Sequence, residues 1–158
     1  MITDEPIAVE DPNRPDVRAL LARHLAFAHG QTPPERSFAL GADGLLDPAI
    51  TLFSYRVDGR LLGIGALKRL GRDHAEIKSM HTAEGARGRG VGRALLAHLL
   101  DVARGQGLRR VSLETGTTAA YGPARALYAS AGFALCGPFA GYQPSEHNLF
   151  MTLTLGAG

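Results

Sequence analysis

Apolar residues recur along this chain in two rhythms, and the alternation between them marks its elements. Val17, Leu20, Leu21, Leu25 and Ala28 return at steps of three and four, which lays one apolar face along a helix from Pro15 to Ala28, with proline suited to its first turn. Ile7 to Val9 ahead of it reads as a short strand. After "HGQTPPERS" breaks the period, residues 33–48 offer no more than one short helix, because Gly41, Gly44 and Pro48 interrupt every candidate period. A segment of that kind is suited to covering a pocket. Ala49 to Val57 and Arg60 to Leu70 are strand-like runs joined by Asp58-Gly59, a two-residue hairpin signal, and "GRD" at 71–73 turns into a third run, His74 to Thr82. Three antiparallel strands are the expectation.

The second half alternates helix and strand. A helix is predicted from about Gly90 to Arg104, a strand from Arg110 to Glu114, a helix from about Pro123 to Ala131, and strands at Phe133 to Cys136 and Asn148 to Leu155. The fold class is therefore α/β with a mixed sheet. At 158 residues the chain has the size of one domain, taken as 1–158. Hydrophobic residues at 45% and charged residues at 20% exclude a largely disordered chain. No apolar run approaches the ~18 residues of a membrane span. The start "MITDEP" has neither the basic nor the apolar region of a signal peptide, and the single cysteine, Cys136, excludes an internal disulfide. A soluble, cytoplasmic protein without membrane partners is expected. A net charge of +2 is too small to argue for nucleic acid but does not oppose an anionic ligand.

The chemistry concentrates in "HTAEGARGRGVGRALLAHLL", His81 to Leu100. Val91, Ala94, Leu95, His98, Leu99 and Val102 recur at helical steps, so the helix begins near Gly90 and aims its unpaired first amides back at the loop. Those amides and the helix dipole favour an anion by roughly 0.3–1 kcal/mol, and Arg87, Arg89 and Arg93 add guanidinium groups that match phosphate oxygens in pairs. Gly88, Gly90 and Gly92 let a phosphate approach closely. The bland reading is a surface turn with solvated arginines. A dinucleotide-binding loop would want a third glycine where Arg93 stands, and a nucleotide-triphosphate loop would want lysine followed by serine or threonine.

These residues resemble the core of the GNAT superfamily of acetyl-coenzyme A-dependent N-acetyltransferases. The family loop Gln/Arg-x-x-Gly-x-Gly/Ala is met by Arg87, Gly90 and Gly92, and the likeness runs from "HAEIKSMHTAEGARGRGVGRALL" through "RVSLETG" to "ARALYASAGF". The resemblance implies a GNAT fold: antiparallel N-terminal strands, central strands that splay apart, and helices on both faces. It implies acetyl-coenzyme A as cosubstrate, its pyrophosphate on the backbone of Arg87, Gly88, Arg89, Gly90, Val91, Gly92 and Arg93, and its pantetheine arm along the strand backbone at Met80, His81 and Thr82, where the family commonly bulges. Tyr128, in the "LY" and "GF" context of Leu127, Gly132 and Phe133, takes the place of the acid that protonates the departing thiolate. Glu76, eleven positions before Arg87, takes the place of a strand glutamate that accepts the amine's proton. The family often carries asparagine six residues before the leucine of "LY", where this chain has Tyr121.

Against these roles stand plainer ones: Tyr128 as a half-buried packing residue, and Glu76 as half of a surface pair with Lys78, since both would share a strand face with Met80. The backbone amide near His81 or Thr82 is the expected donor to the thioester oxygen. The six histidines are too scattered for a metal site. His98 reads as partly buried, Cys136 as a buried thiol, and Glu114 is left without a role. Tyr142 and Glu146 lie in the loop that faces the acceptor, where packing under the loop is the first reading for Tyr142. The function expected is acetyl transfer to a primary amine of a small molecule by direct attack in a ternary complex. The alternatives are protein or peptide amines, a non-catalytic acyl-coenzyme A sensor, and a nucleic-acid module, the last lacking interleaved aromatics. A homodimer is left open, since no stripe can be reserved for an interface.

Overall fold

The computed structural model describes residues 6–31 and 40–156. Seven strands form one sheet in the order β1-β2-β3-β4-β5-β7-β6: β1 Ile7–Val9, β2 Ile50–Val57, β3 Arg60–Arg69, β4 His74–Thr82, β5 Arg110–Gly116, β6 Ala134–Cys136 and β7 Asn148–Thr154. The helices are α1 Pro15–Gln31, α2 Val91–Gly105 and α3 Gly122–Ser130. Asp58 and Gly59 both take positive φ, 52° and 78°, the left-handed pair that closes a two-residue hairpin between right-twisted strands. Of the segment read as one short helix, residues 32–39 lie outside the described part, and Gly44–Leu46 forms a single 3₁₀ turn.

The sheet is covered on both faces. Ile64 and Ala66 of β3 pack with Val17, Leu20 and Leu21 of α1, while the intervening glycines face α2. A Cβ at Gly63 would stand 2.7 Å from Val91 Cγ1, so α2 rests almost directly on the β3 backbone. The buried face of α2 is Val91, Leu95, Leu96, Leu99, Leu100 and Ala103, turned slightly from the predicted stripe. Ala94, His98 and Val102 lie at its margin because the helix sits over Ala75, Ile77, Val111 and Leu113 of β4 and β5 as well as over β3.

The feature that builds the site is the contact between β4 and β5, the one parallel pairing among the described residues. It runs only from His74↔Arg110 to Ile77↔Leu113. Beyond Ile77 each strand continues unpaired to the other, β4 to Thr82 and β5 to Gly116, and a wedge opens between them. In the wedge β4 also bulges: its register with β3 shifts between Ile64↔His81 and Ala66↔Lys78, and Ser79 takes φ 56°. The extra residue reverses the alternation. Glu76 and Lys78 share one face as the sequence implies, but Met80 does not join them. Its sulfur sits 2.6 Å from where a Gly65 Cβ would be, on the α2 face, beside Leu99.

Candidate active site

The wedge widens into a cleft of about 780 Å³. At one end, Gly90 caps α2 in the left-handed conformation, φ 80°, with no side chain bonded to the first turn, so the opening amides of α2 keep their donors for a ligand. Gly88 has φ 79°. A Cβ at either glycine would meet nothing within 4 Å, and their requirement is therefore conformational: an L side chain there is strained. Arg87 and Arg93 flank this end, and Val91, Gly92 and Thr82 complete it. The array suits a diphosphate, which the amides and two guanidinium groups would share.

Arg89 departs from the expected set. It turns to a separate hollow of about 260 Å³, lined also by Arg23 and Arg60, because the left-handed turns at Gly88 and Gly90 point it away from its neighbours.

Midway along the cleft lie Tyr128 and the end of β5. Tyr128 is almost wholly buried, its ring edge-on to Phe133 at 6.0 Å, yet it lines the cleft. Burial, with the Glu114 charge adding to it, raises the phenol above its ordinary pKa, so it holds its proton. Glu114 is also raised, to about 7, because burial disfavours its charged form; the Lys78 ammonium and the Asn148 amide pull it partly back, and Glu76 pushes it up. A partly buried carboxyl poised near neutrality at the end of a strand is the arrangement a proton acceptor needs. The sequence put Glu114 at the end of its strand, equally able to join the active site or to pair with Arg109-Arg110; its burial depends on long-range packing.

Glu76 is placed differently from a surface residue. It is 2% exposed and bonded to Lys78 Nζ at 3.2 Å and to the Tyr142 hydroxyl, which also lies 2.6 Å from Lys78 Nζ. The pair with Lys78 is real but buried, and Tyr142 does not merely pack under its loop. It reaches back from beyond β6 to close a three-way cluster, held by ring contacts to Phe139 and Phe150. Burial, then the Glu76 charge and hydrogen bond, raise the Tyr142 phenol above its usual range. Glu146 lies away from the cleft, its side chain 87% exposed beside His147.

Another wall of the cleft is aromatic. His24 of α1 and His81 of β4 face each other, Nδ1 to Nδ1, at 3.4 Å, one ring donating and the other accepting. Burial lowers both to about 4, helped at His24 by His81 and at His81 by Arg87 and Arg23, so both are neutral at pH 7. Phe27 stands beside His81 and edge-on to Tyr121 at 5.1 Å. Tyr121 itself lies over Gly116, where a Cβ would fall 2.2 Å from its ring. No signal in the sequence singled out His24 or Phe27, because α1 reads only as an amphipathic helix.

Of the residues expected at the site, Glu76, Met80, His81, Thr82, Arg87, Gly88, Gly90, Val91, Gly92, Arg93 and Tyr128 therefore line one cleft. Among the described residues no three histidine, cysteine, aspartate or glutamate side chains converge as a metal site, and no helix is long and apolar enough to cross a membrane.

The splayed mixed sheet with an anion-receptive helix start at the splay is the arrangement that the GNAT resemblance implies, and comparison with known proteins agrees. The sequence model of the Acetyltransferase (GNAT) family matches residues 14–133. An uncharacterized N-acetyltransferase of Escherichia coli K12, YedL, is 44% identical over 149 residues, covering 94% of each chain. An IAA acetyltransferase of Azospirillum brasilense is 35% identical, covering 92% of this chain and 94% of its own. A solved structure from Klebsiella pneumoniae, assigned as an acyl-CoA N-acyltransferase, superposes with TM-score 0.77 at 27% identity, covering 95% of this chain and 97% of its own. A GNAT acetyltransferase from Elizabethkingia anophelis, solved with acetyl-CoA bound, shares the fold at TM-score 0.71 and 17% identity, covering 97% and 100%. The chain belongs to the GNAT family of acetyltransferases and is an acyltransferase.

Proposed function

We propose that this enzyme moves acetyl from acetyl-coenzyme A to a primary amine of a small molecule, both substrates bound together in the cleft. The observation that carries the reading is the continuity of that cleft: one opening joins the free amides of α2 to Tyr128, Glu114 and an aromatic wall. Acetyl-coenzyme A would supply an activated acyl group and a thiolate leaving group. Arg87, Arg93 and the amides from Gly88 to Arg93 would hold its diphosphate. The unpaired backbone of β4 from Met80 to Thr82 would align its arm, and an amide at His81 or Thr82 would donate to the acyl oxygen.

The chain's own groups then divide the proton work. Glu114, titrating near 7, takes a proton from the incoming ammonium at its carboxylate. Tyr128 stays neutral and donates a hydrogen bond to the departing sulfur. Its raised pKa makes full proton transfer to a thiolate of reference pKa about 8.5 uphill, so its contribution is a bond that strengthens as charge develops. Glu76 has two partners already, Lys78 and Tyr142. In this reading it positions them and passes proton affinity to Glu114 through the field rather than by direct contact with the amine.

The pH dependence of kcat/KM for the amine tests the division. The wild type is expected to lose activity tenfold per unit below about pH 7. Glu114→Gln should abolish that limb and lower kcat by ~10²-fold or more, within the range for a positioned base, whereas Glu76→Gln should keep the limb. A limb lost in Glu76→Gln and kept in Glu114→Gln would return the base to Glu76.

A further inference from the structure

Glu114 sits at the fork of the sheet. The last rung between β4 and β5 is Ile77↔Leu113, so Glu114 is the first residue of β5 beyond that pairing. On its other side β5 pairs with β7, through Glu114↔Phe150 and Gly116↔Asn148. Residues two apart on a strand share a face, and so do residues directly opposed across a ladder, which makes Asn148 the diagonal neighbour of Glu114 on one face, within side-chain reach. Asn148 is 7% exposed, deep for a primary amide that opens a strand. Lys78 and Glu76 of β4 act on the same carboxyl, Tyr128 of α3 and Tyr142 of the loop after β6 feel its charge, and His147 also lines the cleft.

Ser145 sets which way that amide faces. Its backbone N–H and its hydroxyl both donate to Asn148 Oδ1, each at 3.0 Å. A backbone N–H can only donate, so the atom that meets it is the carbonyl oxygen, and the NH2 group is turned away from Ser145. The Ser145 hydroxyl accepts from the His147 N–H at 3.1 Å, which directs its own proton to Asn148. The Thr117 hydroxyl donates to the Glu146 carbonyl at 2.8 Å and pins the turn to the end of β5. What remains is Asn148 Nδ2, buried and with no acceptor at full hydrogen-bond geometry among the described residues; the carboxyl on which it acts is Glu114. A buried donor left over in a native fold calls for a partner, and a carboxylate has lone pairs to give on both oxygens.

We infer that Asn148 is a positioning residue of the transfer site: Ser145 fixes its amide, and its NH2 group holds one oxygen of the Glu114 carboxylate, leaving the other to the incoming amine. This rests on Glu114 being the proton acceptor, as proposed above. Were the NH2 group without a task, capping the turn of residues 145–148 would be the whole role of Asn148. The two roles separate in Asn148→Asp, which keeps an oxygen for both Ser145 bonds and exchanges only the NH2 for an oxygen that repels a carboxylate.

The test is a pH titration by NMR of the wild type and Asn148→Asp, each confirmed folded by thermal melting, following the Glu114 side-chain carboxyl and the Asn148 side-chain amide. In the wild type the Glu114 carboxyl is expected to titrate at about 7, and the Asn148 NH2 resonances to shift with the same midpoint. In Asn148→Asp the Glu114 midpoint should rise by about one pH unit or more. With n-butylamine as the probe amine, kcat should fall ~10-fold in the variant while the KM for acetyl-coenzyme A stays unchanged. Wild-type Asn148 resonances that do not follow Glu114, a result that needs no variant, would overturn the inference and leave Glu114 as the proton acceptor. An unmoved Glu114 midpoint or an unaltered kcat in folded Asn148→Asp would do the same. A wild-type Glu114 titrating at the ordinary carboxylate value would instead bring down the proton-acceptor reading, and the inference with it.

Discussion

At the scale of single residues, the same burial that shapes the cleft sets its protonation states. Tyr128→Phe removes only a hydroxyl from a buried ring. It is expected to lower kcat by about 10²-fold with little change in the KM of the acyl donor, measured by thiol release at saturating amine. An unchanged kcat would make Tyr128 a packing residue. His24 and His81 give a prediction on stability. Each has a folded pKa of about 4 against an ordinary 6.5, so between those values the unfolded chain binds protons that the folded one refuses, and stability falls as pH falls from about 6.5 toward 4. For His24 alone the loss is on the order of 3 kcal/mol. His24→Phe should flatten the decline of the melting temperature with acid. Glu114 acts with the opposite sign: its raised carboxyl favours the folded state below the ordinary value of 4.5, and that advantage is lost as pH rises through about 7.

At the scale of elements, turn chemistry and period made most of the fold legible. Asp58-Gly59 named its hairpin, the step of three and four residues found α1 and α2, and Gly90 marked where α2 starts, since a left-handed cap there needs glycine. Gly90→Ala should therefore cost about 1 kcal/mol of stability by chemical denaturation, while Gly63→Ala, forced against Val91 at 2.7 Å, should cost ~1–3 kcal/mol as overpacking does. What the chain did not show locally was long-range. The bulge at Ser79 is a matter of how β4 pairs with β3, and no local pattern said that Met80 would change faces. Arg89 stands two residues after Arg87 and four before Arg93, yet two left-handed glycines send its side chain elsewhere. Glu114, Tyr142 and His24 come from strands and helices far apart in sequence, and their shared cleft exists only after the sheet opens between β4 and β5.

At the scale of the whole molecule, that opening is the device on which function depends. Two strands stay parallel for four residues and then part, with α1 on one face of the sheet, α2 on the other with Leu127 and Tyr128 of α3 beside it, and Tyr142 from the loop after β6 reaching the cleft. The end proposed to hold the diphosphate is built from backbone and arginine, and its chemistry is legible in a dozen residues. The side chains proposed to face the acceptor come singly from α1, β4, β5 and the segment before β7, which is why the sequence pointed to an acyl donor far more readily than to an acceptor. The most direct measurement is calorimetric titration of the wild type, Arg87→Ala and Gly90→Asp with acetyl-coenzyme A. The account predicts one site of about micromolar affinity in the wild type, binding weakened at least ~10-fold in Arg87→Ala, and none detectable in Gly90→Asp, whose carboxylate would oppose the diphosphate at the start of α2. Equal binding by a folded Gly90→Asp protein, or no binding by the wild type, would contradict it.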